Sequence, residues 1–112
     1  MNVNLARVDL VSIRLALLCA ELGSLSAAAR SVHCSLSTGS TRLSMLEETL
    51  GTPLFVRDHR GLHPTPACKD FVQHAQVILK HVELLIDATS DHAAARSSPL
   101  PSRSGYLERL AA

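Results

Sequence analysis

Between Ser35 and Arg42 the chain sets Ser35, Ser37, Thr38, Ser40, Thr41 and Arg42 around a lone leucine, Leu36. Hydroxyls become nucleophiles only beside a base that a third group orients, and no such constellation is visible here. What they offer at this density is hydrogen bonds. A second cluster, Arg57-Asp58-His59-Arg60-Gly61, brings two guanidiniums close in sequence, each a rigid fork of N–H donors that matches phosphate. Polar contact with a polyanion, rather than bond breaking, is the chemistry these residues suit.

Other chemistries find little support. Cys19, Cys34 and Cys68 form no C-x-x-C pair, and none of the six histidines stands at a zinc-like interval from them. No metal and no cofactor are expected. Cys19 reads as a buried reduced thiol, and Cys34 and Cys68 as exposed. His33 and Cys34 are adjacent but lack a third group, and neither a Gly-rich phosphate loop nor a paired-carboxylate site appears, so an enzyme is not expected. The net charge is +1, so affinity for nucleic acid has to come from local clustering of arginines. The apolar run over 11–20 is interrupted by Arg14 and closed by Glu21, unlike a signal peptide and too short to span a bilayer. A cytoplasmic chain without a membrane partner is the expectation.

The elements that carry these clusters follow from periodicity and caps. Leu10, Ile13, Leu17 and Ala20 recur at helical spacing, with Leu18 widening the stripe, Asp9 as N-cap and Gly23 as the stop. A short second helix is predicted from about 26 to 31 or 32, its alanines permitting close backbone approach. Ser35 then caps a third helix that runs to Leu50 and ends at Gly51. Leu36, Gly39, Leu43, Leu46 and Leu50 share one face; Ser37, Thr38, Thr41, Arg42 and Ser44 lie opposite. Acidic residues wait until Glu47 and Glu48, which suits a helix entering a DNA groove, although a solvated surface helix has the same pattern. A strand over 53–56, a basic turn over 57–61 and a return over 62–64 read as a two-stranded wing. Arg57 either meets phosphate there or pairs with Asp58 or Glu47 in support of the fold.

Thr65-Pro66 signals a further helix. Phe71, Ala75, Ile78, Val82 and Leu85 step along it by four, three, four and three, an apolar dimerisation seam, with Leu79 and Ile86 on a second stripe. A single helix packed on its own domain is the alternative. The expected organisation is a head over 1–65, a linker helix over 66–92 and a disordered tail over 93–112, where Pro, Ser and Arg lose all period.

The stretch from 13 to about 68 resembles the N-terminal head of the LysR-type transcriptional regulators. Ala20-Glu21, Gly23-Ser24, Ala28-Ala29, Ser35, Ser40, Leu46-Glu47, Leu50-Gly51, Leu54-Phe55, Arg57, Arg60, Thr65 and Ala67 carry the likeness. The resemblance implies a mainly α fold: a winged helix-turn-helix of three helices and a two-stranded wing, followed by a long linker helix through which two heads pair. It implies a sequence-specific regulator on double-stranded DNA in the bacterial cytoplasm, associated with the nucleoid, with the third helix in the major groove and the wing on the backbone. The expected contact set is Ser35, Leu36, Ser37, Thr38, Ser40, Thr41, Arg42, Arg57, His59 and Arg60.

Three positions depart from the family's pattern. Leu36 stands where the family often has a base-reading glutamine; leucine can touch a thymine methyl but cannot bond adenine. Thr41 stands where arginine is frequent, and Arg42 lies about 100° further around the helix. Gly39 replaces an apolar residue, a predicted loss of about 1.5–3 kcal/mol of burial plus about 1 kcal/mol of helix propensity. With 112 residues there is no room for the family's effector-sensing domain, so no small-molecule effector is expected. The partner is then a second copy or a full-length relative. The competing expectation is a truncated interaction module that pairs with such a relative and binds DNA weakly or not at all.

Overall fold

A computed structural model describes residues 5–94. A 3-10 turn, Leu5–Arg7, leads into three helices, α1 Leu10–Leu22, α2 Leu25–Ser31 and α3 Leu36–Leu50. A hairpin of β1 Phe55–Asp58 and β2 Gly61–Pro64 follows, then helix α4, Pro66–Ala94. Among the described residues, those up to Lys80 form one compact unit, and 81–94 belong to another. The linker helix runs two residues further than expected, taking in 93 and 94, and the rest of the expected tail lies outside the described residues.

Each boundary has a local cause. The Asp9 carboxylate accepts from the Ser12 amide at 2.7 Å, Ser24 Oγ from Ala27 N at 3.2 Å, and Ser35 Oγ from Thr38 N at 3.1 Å, which satisfies amides left without intrahelical partners. Gly23 (φ 67°) and Gly51 (φ 77°) end α1 and α3 in the left-handed region, where a side chain would be strained. Thr65 caps α4, its Oγ1 3.3 Å from Cys68 N, and its hydroxyl donates to the Pro53 carbonyl at 2.8 Å.

One residue in the turn between α2 and α3 pays for its position. His33 has φ 58°, the single positive φ among the described non-glycine residues. Left-handed backbone costs an L-residue about 1–2 kcal/mol, more than the extra chain entropy that glycine loses on folding. His33→Gly is therefore expected to stabilise the head by about 0.5–1 kcal/mol, read as a higher urea midpoint at unchanged slope. An unchanged or lower midpoint would show that the imidazole makes up the difference.

The core joins Leu15, Ala16 and Cys19 of α1, Ala28 and Ala29 of α2, and Leu43 and Leu46 of α3 to Leu54, Phe55 and Cys68. Several sequence expectations change here. Leu10 (47% exposed), Leu36 (54%) and Leu50 (39%) lie at helix ends, beyond the layer that covers the middle of each stripe. Cys68, read as exposed, is buried because the first turn of α4 faces the core. Burial pushes the Cys19 thiol up to about 11 and raises that of Cys68 as well, so neither is a thiolate at neutral pH.

Gly39 is the largest correction. A Cβ built there would stand 2.9 Å from the Ala29 Cβ and 3.6 Å from Cys34 Sγ. The missing side chain leaves no cavity to fill; Ala29 of α2 occupies its place. The strand also differs from expectation, running from Phe55 to Asp58 rather than starting at Pro53. The Leu54 and Phe55 amides turn instead to the Glu47 carboxylate, at 2.6 and 3.2 Å. The register pairs Phe55 with Pro64 and Asp58 with Gly61, leaving His59 and Arg60 as the tip.

Candidate nucleic-acid interface

Ser37, Thr38 and Thr41 are exposed along the first half of α3, as their spacing requires, while Gly39, Leu43 and Leu46 are buried behind them. Ser35 is committed locally: besides capping the helix, its Oγ lies 3.0 Å from Thr38 Oγ1 and 3.3 Å from Ser37 Oγ. Arg42 turns away from the wing. Its Nη1 sits 3.4 Å from Asp9 Oδ2, so the carboxylate that caps α1 also holds the guanidinium of α3. With Arg7, Ser37, Thr38 and Thr41 these two residues line a shallow groove between the start of α1 and α3.

The wing meets the opposite edge of α3. Arg57 Nη1 donates to Ser40 Oγ at 3.2 Å. Neither suggested carboxylate partner receives it: Glu47 is occupied by the Leu54 and Phe55 amides, and Asp58 by the wing tip. Asp58 Oδ1 accepts from the Arg60 amide at 2.7 Å and lies 3.0 Å from His63 Nε2. Gly61, at φ 118°, packs close to the α1–α2 turn, since a Cβ there would be 3.2 Å from the Gly23 carbonyl oxygen. The hairpin is thus seated on the head, with the His59 and Arg60 side chains exposed at its tip.

The Arg60 amide and then His63 hold the Asp58 carboxyl below the usual aspartate range. A lowered pKa means that the charged form stabilises the folded tip. That contribution is complete above the unfolded value and is lost as pH falls through the folded one. An NMR titration of the Arg60 amide is expected to show a midpoint below the ordinary value of about 3.9, and Asp58→Asn should remove the step. A midpoint at or above that value would contradict the capped carboxylate.

Local pattern did not reveal Glu47 as the residue that anchors the wing or Asp9 as the tether of Arg42, because both act across elements. Of the seam residues, Phe71 is half-buried and packs against the core, Ala75 is 1% exposed and Ile78 42%. In the second unit Val82 is half-buried and Leu85 is 62% exposed. Among the described residues no three His, Cys, Asp or Glu side chains gather as metal ligands, and no helix is long and apolar enough to cross a membrane.

Three helices packed at short range, with a two-stranded hairpin beside the third, define a winged helix-turn-helix domain. The family of bacterial regulatory helix-turn-helix proteins called lysR matches residues 10–69. The small neutral protease regulatory protein of Streptomyces coelicolor is 36% identical over 81% of this chain and 30% of its own length. The HTH-type transcriptional regulator YofA of Bacillus velezensis is 39% identical over 83% of this chain and 31% of its own. Among solved structures, the CbnR_DBD–DNA complex superposes with a TM-score of 0.68 at 31% identity, covering 79% of this chain and 99% of that one. The BenM_DBD complex with catB site 1 DNA gives 0.72 at 27% identity, covering 81% and 99%. The chain belongs to the LysR family of bacterial regulatory helix-turn-helix proteins and spans about 30% of the length of these curated relatives.

Proposed function

We propose that this chain regulates transcription in the bacterial cytoplasm by binding double-stranded DNA as a dimer, with α3 in the major groove and the wing along the backbone. The observation that carries the reading is the Arg57–Ser40 hydrogen bond. It supports one continuous surface in which the hydroxyls of α3 reach base edges while Arg57, His59 and Arg60 approach phosphates. The likeness to two DNA-bound domains supports the same use of this face. Exposed Ile78 and, within the second unit, exposed Leu85 each offer an apolar side chain to a second copy, and two heads would read two half-sites. Phe71 and Ala75, being committed to the core, contribute by setting α4 on the head rather than by meeting the partner.

Arg60 has no side-chain duty in the fold beyond its backbone bond to Asp58, so it tests the phosphate role cleanly. Arg60→Ala is expected to weaken binding by a similar factor on every duplex and to reduce the slope of log affinity against log salt by about 0.9. An unchanged slope would remove Arg60 from the interface.

A second reading, the interaction module that pairs with a full-length relative, is favoured by the Arg42–Asp9 pair, which engages an α3 guanidinium within the head. Mobility shift on random duplex at low and moderate salt separates the two. Absence of a shift at both salts, from a chain that scattering shows to be a folded dimer, selects the interaction module.

A further inference from the structure

Leu36 is the odd side chain of this surface. It opens α3, is 54% exposed, and is followed by exposed Ser37 and Thr38. Ser40, four positions on, lies on nearly the same side of the helix, and there it receives the wing's Arg57. Leu36 consequently faces the wing side of the interface. It lines a groove with half-buried Leu25 and Leu62; Ser24, Ser26, Arg57, His59 and Arg60 stand along the same groove, and so does Asp58, whose carboxylate is taken up by the Arg60 amide and His63. Leucines beside arginines in one groove give an apolar contact next to donors that suit phosphate.

Besides hydrogen-bond donors and acceptors, the major-groove edges of the bases carry one sizeable apolar group, the methyl on C5 of thymine, which 5-methylcytosine shares and cytosine replaces with hydrogen. Leucine has no donor or acceptor to exchange for the water it displaces from a polar edge, and that loss is unfavourable. Against a C5-methyl, the same displacement removes apolar surface from water on both sides. We propose that Leu36 is a specificity-determining residue that reads the C5-methyl group of a pyrimidine in each half-site. This inference rests on the DNA-binding reading above and goes beyond it in naming the chemical group read.

The test uses the full chain and duplexes enriched by it from a random pool. Each thymine of an enriched duplex is replaced in turn by deoxyuridine, which removes the methyl alone, and affinity is followed by fluorescence anisotropy. Substitution at one pyrimidine per half-site is expected to weaken binding about fourfold, the worth of one buried methyl. In a second arm a G·C pair is placed there, and 5-methylcytosine is expected to bind about fourfold better than cytosine. Leu36→Ala, at an exposed position, should fold normally and show neither difference. A methyl effect in the thymine arm alone upholds the proposal and assigns the source to thymine. Wild-type binding that ignores every methyl, or an equal effect in Leu36→Ala, overturns it while leaving DNA binding intact. Failure to enrich any duplex overturns the DNA-binding reading and this inference together.

Discussion

Gly39→Val is expected to lower the stability of the head by about 3 kcal/mol, at the upper end of the cost of overpacking a close-packed site. For a domain of this size that corresponds to a fall in Tm of roughly 15 °C. The first added atom already stands 2.9 Å from the Ala29 Cβ, and Ala29 is 1% exposed with no room to retreat. Valine adds two further methyls to a Cβ that is already too close to Ala29, so the helices have to part. Helix propensity alone runs the other way, valine being slightly better than glycine within a helix. A loss on thermal melting therefore reports packing, and an unchanged or raised Tm would show that α2 can shift without cost. Exchanging the partners, with Ala29→Gly beside Gly39→Ala, isolates the contact. The double variant should lose less than the sum of the two single changes, because one Cβ then occupies the place for which two compete.

The second large effect is expected at Glu47. Its carboxylate receives the amides of Leu54 and Phe55, both of which are residues of the buried core. Glu47→Ala leaves two N–H groups without an acceptor where water has poor access, a loss of about 3 kcal/mol. Glu47→Gln keeps an acceptor oxygen and should lose less than half of that. The damage has a direction as well as a size, since the stretch that Glu47 holds leads straight into β1. Amide exchange should rise first over Leu54 and the hairpin, before α1 and α2 are affected. Uniform exchange across the head would mean that Glu47 supports the whole fold rather than the wing. If the wing carries the phosphate contacts proposed above, Glu47→Ala also weakens DNA binding below its unfolding temperature, while Gly39→Val acts chiefly by unfolding.

These two residues mark where the sequence could and could not be read. Glu47 was visible as a late acidic residue on α3 and as a possible partner of Arg57, but nothing in its neighbourhood indicated that it would accept from two backbone amides seven and eight positions away. Gly39 was legible as a break in an apolar stripe, but its meaning was inverted: what reads locally as missing burial is the site of closest approach between two helices. Arg57 was left between phosphate and two carboxylates, and the structure gave it a serine. The hydroxyls of Ser37, Thr38 and Thr41, by contrast, are exposed on the face that their spacing required, because a helical wheel needs no information from elsewhere.

The sequence by itself determined where the helices begin and end, that a hairpin follows α3, and which family the chain resembles. Caps and turns are set by side chains bonding to backbone within a few residues, as Asp9, Ser24 and Ser35 each do three positions on, so their signals are local. Only the tertiary structure decided which leucines of each stripe are covered, that Asp9 reaches Arg42 across thirty-three positions, and how the wing is held against α3. Those outcomes depend on how far each packed layer extends and on which polar groups are still unpaired once it has formed. The hydroxyl cluster between Ser35 and Arg42 was therefore readable as a chemistry, while its division into a cap, a wing anchor and an exposed face required the fold.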